Sequence, residues 1–184
     1  MQVIRQMTFA YDKKRRMVAL APLLLALFVS PARSVELGLT PNQVFATWMN
    51  INSALVALGG AVSGDEQLSG RMAAMEPSVF KGKKPADVLK QLAIFRGRLD
   101  RLRSQKGLKA TPVFQDPAGG KVTPSVVFLN SGYVLDSTVL MLIRLDETRL
   151  IGGYYKRYDV SGKTPDGPYS LIDLANRRIG TLLN

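Results

Sequence analysis

Thr40-Pro41-Asn42-Gln43-Val44-Phe45 opens the stretch that decides the fold, and its pattern returns three times. The second copy is Lys84-Pro85-Ala86-Asp87-Val88-Leu89 and the third is Thr123-Pro124-Ser125-Val126-Val127-Phe128. A weaker fourth reads Thr164-Pro165-Asp166-Gly167-Pro168-Tyr169. The four prolines lie 44, 39 and 41 residues apart, and three copies carry Gly-Lys just upstream, at Gly82-Lys83, Gly120-Lys121 and Gly162-Lys163. The unit reads as a helix start. Proline suits the first helical position, where its missing N–H has no partner to lose, and threonine can cap the free amides that follow. Thr40 with Gln43 also matches a capping box.

Each start leads into apolar residues at helical spacing. The first run is Val44, Trp48, Ile51, Leu55, Leu58 and Val62; the second is Val88, Leu92, Phe95, Leu99 and Leu102; the fourth is Ile172, Ala175, Ile179 and Leu182. Steps of four and three place one apolar stripe on a helix, and that stripe must be buried against partners. The third run, Val126 to Leu145, is apolar nearly all round and should form the most buried helix. The reading is an all-α domain over residues 35–184, a four-helix bundle with long loops. Gly107 should close the second helix, Gly59-Gly60 should loosen or end the first, and a short helix is expected around Leu68 to Met75. The connections run to roughly 15–25 residues, against about 2–8 in ordinary bundles. Because such connections can cross back over a bundle, an up-down antiparallel topology is the default expectation rather than a deduction.

Upstream of the repeats, Lys13-Lys14-Arg15-Arg16 is followed by an apolar run from Met17 to Val29 and then Ser30-Pro31-Ala32-Arg33-Ser34. A basic segment, a short apolar segment and small residues describe a secretory signal peptide over residues 1–34, cleaved near Ala32 or Ser34. Thirteen helical residues reach roughly 20 Å, short of a hydrocarbon core of about 30 Å. The expected location is periplasmic or secreted. The alternative is a membrane anchor made by an uncleaved signal, and the start codon falls at Met1 or Met7. No further apolar run reads as membrane-spanning, so the mature chain is expected without a transmembrane span.

The 184 residues include 25 Lys+Arg, 14 Asp+Glu, no histidine and no cysteine. Removing residues 1–34 leaves 19 basic and 13 acidic residues, so much of the net charge of +11 belongs to the export segment. Without His or Cys there is no His/Cys metal site, thiolate nucleophile, Ser-His-Asp triad or disulfide, and no cofactor is indicated. Ser78-Val79-Phe80-Lys81 matches Ser-x-x-Lys but lacks the companion motifs of that nucleophile class, so it reads as coincidence. No enzymatic activity is expected, and nucleic acid is a poor partner for an exported chain lacking a recognised binding motif.

Two groups of residues stand out as binding candidates. In the third helix Asn130, Ser137 and Arg144 lie seven apart beside Tyr133, polar groups in an apolar seam that need partners. They serve either as structural pairs or as a cradle for a small anionic ligand. The second group, Tyr154, Tyr155, Arg157 and Tyr158, interleaves aromatic and cationic side chains around Lys156, suited to gripping a partner. The function read from the sequence is a non-catalytic exported protein that binds a protein or envelope component. The alternative is a ligand-binding or sensing domain using the third-helix seam.

Overall fold

The computed structural model describes residues 36–64, 66–116, 119–148 and 151–183. The export segment lies outside the described residues. Among those described, five α-helices and one 3-10 turn form an all-α fold: α1 (Pro41–Ser63), α2 (Glu66–Ala73), α3 (Pro85–Gln105), α4 (Pro124–Leu145), the 3-10 turn (Ile151–Tyr154) and α5 (Asp166–Gly180). The repeated motif starts each long helix. Pro41, Pro85 and Pro124 occupy the first helical positions, and Pro165 immediately precedes Asp166. Thr40 and Gln43 form the expected capping box, with the Thr40 N–H donating to Gln43 Oε1 at 3.0 Å. Lys84 has no capping oxygen, so Asp87 accepts the Lys84 N–H instead, at 2.9 Å.

The spaced apolar residues are the core. Val44, Trp48, Ile51, Leu55 and Leu58 of α1 are buried together with Val88, Leu92, Phe95, Leu99 and Leu102 of α3 and Ile172, Ala175 and Ile179 of α5. Trp48 and Phe95 meet edge to face at 5.2 Å in the middle of it. Val62 and Leu182 only flank this core. α1 runs past Gly59-Gly60 and ends at Gly64, whose φ of 65° supplies the left-handed C-cap. The paired glycines serve packing instead. A Cβ on Gly59 would meet Met72 Sδ at 2.7 Å, so its absence lets α2 lie against α1, where Ser69 Oγ donates to the Val56 carbonyl. Gly107 (φ 68°) closes α3 as expected.

The antiparallel expectation is overturned. Pro41, Pro85, Pro124 and Pro165 line one void, with Val44, Val88, Val127 and Pro168 beneath them, so all four long helices begin at the same end. Hydrogen bonds there agree: Lys83 N–H to Asp166 Oδ1, Lys163 N–H to Asn42 Oδ1, and Leu37 N–H to Ser125 Oγ. The void is about 10 Å³, at the lower limit for one water, so the four prolines pack closely together. The long helices run in one direction, and each connection must bring the chain back. A helix of 21–23 residues spans about 32–35 Å, which an extended return covers in roughly ten residues. The long loops have the slack for it.

Parallel alignment adds the helix dipoles instead of cancelling them, leaving carbonyl-rich, negative helix ends together. Cations collect there: Arg103 in the last turn of α3, Arg144 in that of α4, and Arg177 and Arg178 in that of α5. Around the core, α1 packs on α4 and α5, and α3 packs on the same two helices. α1 and α4 are also long and apolar enough to cross a membrane, contrary to the sequence expectation, and 56% and 61% of their most apolar windows are buried in the core. Their polar residues are mostly Asn, Ser and Thr, with Gln43 in α1 and the charged Asp136 and Arg144 in α4.

Candidate functional site

The returning segments are tied to the helices by polar side chains. Asn50 of α1 donates through Nδ2 to the Lys156 carbonyl at 2.9 Å and accepts the Lys156 N–H at 3.2 Å. Asn130 of α4 does the same for Phe114, accepting its N–H at 3.1 Å and donating to its carbonyl at 3.2 Å. A carboxamide has the donor–acceptor geometry of a peptide group, so each asparagine acts as one residue of a strand ladder. Arg178 is buried and gathers the carbonyls of Met72, Ala73 and Met75 with the Asn52 side chain. Arg103 is buried likewise and donates to the carbonyls of Lys109 and Ser137. Burial pushes both guanidinium pKa values down, helped at Arg178 by the neighbouring Arg177 and opposed by the carboxylates of Asp100 at Arg103 and Glu76 at Arg178.

These contacts account for Asn130 in the polar seam of α4. Asn130 is committed to the chain passing beside it, and Ser137 is buried with its carbonyl taken by Arg103. Tyr133 is 39% exposed, and Arg144 reaches solvent at the helix end. The four residues are not brought together around one ligand. Fourteen residues of helix set Arg144 about 21 Å along the axis from Asn130, too far for both to hold one small ligand. Ser78 of the Ser-x-x-Lys match donates to Asp173 and its carbonyl accepts from Ser170, so it pins the first return segment.

The aromatic–cationic segment is placed differently. Tyr154 packs against the core, and Tyr155 donates to Asp136 Oδ1 at 2.8 Å. Partial burial and that hydrogen bond push the Tyr155 phenol up to about 12. From there the chain runs beside α1 as a strap held at two points, Asn50 on Lys156 and Asn42 on Lys163, the latter at 2.8 Å. Lys163 Nζ also sits 4.5 Å from the centre of the Phe45 ring. Eight helical residues separate the two anchors on α1, about 12 Å of rise, whereas seven residues of strap can extend to about 23 Å. The strap therefore bows away from the helix.

Beneath the bow lies a groove of about 670 Å³. Asn42, Gln43, Ala46, Thr47 and Asn50 of α1 form one wall with Phe128 of α4, and Lys156, Arg157, Tyr158, Asp159 and Val160 form the other. Of the four aromatic–cationic residues singled out from the sequence, Arg157 and Tyr158 line this groove, while Tyr154 and Tyr155 fix the start of the strap. The α1 wall was not legible as a site. Its one signal was the recurrence of asparagine on that helix at positions 42 and 50. Comparison of the chain with family models, with curated proteins and with solved structures finds no match.

Proposed function

We propose that the chain is an exported, non-catalytic four-helix-bundle protein that binds a protein or cell-envelope component in the groove between α1 and the strap. The observation that carries this reading is the groove itself, walled by residues 156–160, which supply two cations, a tyrosine and a carboxylate. Its size falls in the range of about 300–1,000 Å³ usual for ligand clefts. Together these side chains offer charge, hydrogen-bond donors and aromatic area to a bound partner. The signal-like residues 13–34 supply the expectation of export.

The test is capture from an envelope extract by the immobilised chain and by Ala46→Trp. The large ring fills the groove from its helical wall without entering the core. Capture by the parent chain that Ala46→Trp loses, at unchanged melting temperature, supports the groove. Equal capture by both removes it. Export is tested by the N-terminus of the mature chain, expected at Arg33 or Val35 in the soluble envelope fraction.

A further inference from the structure

We propose that the groove accepts an extended peptide that adds as a strand to residues 157–160. This rests on the binding reading above and names its partner class. The strap is pinned at Lys156 and Lys163, but between them Arg157, Tyr158, Asp159 and Val160 make no hydrogen bond to any described residue, through main chain or side chain. Their exposure alternates, with Arg157 and Asp159 exposed and Tyr158 and Val160 half-buried, which is the period of a strand with one face turned inward.

The opposite wall has little left to offer a ligand. Asn42 and Asn50 are committed to the strap anchors, Gln43 to the α1 cap, and Thr47 Oγ1 to the Gln43 carbonyl. Apart from the Asn42 and Gln43 carboxamide NH2 groups, the unspent donors and acceptors around the groove belong to the strap, as a row of peptide groups. A row of that kind is matched most fully by another extended backbone about 4.8 Å away. The small Ala46 side chain leaves room along the helical wall for every second side chain of the added strand. Lys156 and Arg157 outnumber Asp159, so the preferred peptide carries an acidic residue opposite Arg157.

The probe is a displayed library of random heptapeptides selected on the full chain, with Ala46→Trp as counter-selection. Enriched peptides are then synthesised and titrated, with amide hydrogen exchange followed residue by residue. Enrichment of acidic, alternating sequences, with exchange slowed at least about tenfold at amides within 157–160, is the expected result. Asp159→Pro removes one strap N–H at a position that makes no internal hydrogen bond, and should weaken binding about tenfold where Asp159→Ala does so no more than about threefold. Peptides that bind with exchange unchanged within 157–160 would overturn strand addition. So would a library that yields nothing while envelope polysaccharide is captured by the parent chain and lost by Ala46→Trp, an outcome that leaves the groove standing. Failure of both library and extract capture removes groove and inference together.

Discussion

The carboxamide of Asn50 occupies both main-chain hydrogen-bonding positions of Lys156, a residue 106 positions away in sequence. One side chain on α1 thus decides where the strap begins to bow. Asn50→Ala should cost about 1–2 kcal/mol in global stability and speed amide exchange at Lys156 well beyond that change. Asn50→Asp turns a buried carboxylate oxygen towards the Lys156 carbonyl, so it should lie below the alanine variant in a urea titration near neutral pH.

Arg178 joins the end of α5 to the end of α2 and to Asn52 in α1, through five donor–acceptor contacts. Arg178→Met matches its stem but leaves buried carbonyls without donors. The expected loss is about 3 kcal/mol or more, read as a lower denaturation midpoint. Arg178→Lys should recover only part of it, because one ammonium cannot serve acceptors spread across a planar fork.

Glycine to alanine should act with opposite signs on two helices. Gly97 is exposed inside α3 with open space at its Cβ, so Gly97→Ala should stabilise by about 0.5–1 kcal/mol through helix propensity. At Gly59 the same gain meets fully buried Met72, and overpacking of about 1–3 kcal/mol should outweigh it. Thermal melts of the two variants give the comparison directly.

Tyr155 has its phenol raised to about 12 by partial burial and by the bond to Asp136. Unfolding returns it to about 10, so the folded state holds its proton where the unfolded state loses it. The contribution is complete below pH 10 and fades as pH rises from 10 to 12. A Tyr155→Phe variant should show a flatter alkaline limb over that window, and the parent's tyrosinate absorbance should include one late-titrating ring.

Much of the helical frame was legible because it is written in local terms. The Thr-Pro starts fix where the helices begin, and the four-three spacing names Trp48, Phe95 and Ile172 as core. Direction was not local. A stripe of apolar residues is satisfied by a parallel or an antiparallel neighbour alike, and the one sign of return is the length of the loops. Asn130 shows the same limit for the site. Its need for a partner was evident from the seam, but the partner was the passing backbone at Phe114, which no pattern in either segment marks. The groove depends on the difference in length between a strap and the helix beside it, a quantity that exists only once both ends are anchored.

The way the long helices are paired has a consequence for assembly order. α1 and α3, the two long helices of the first half, both rest on α4 and α5, so the first half of the molecule supplies two opposite sides of the core and the second half the other two. Neither half contains the long interfaces it needs. A polypeptide ending before Pro124 should stay open and protease-sensitive, and mixing it with the complementary piece should restore the helical signal of the intact chain. The same interleaving delays closure of the core until α5 has been made.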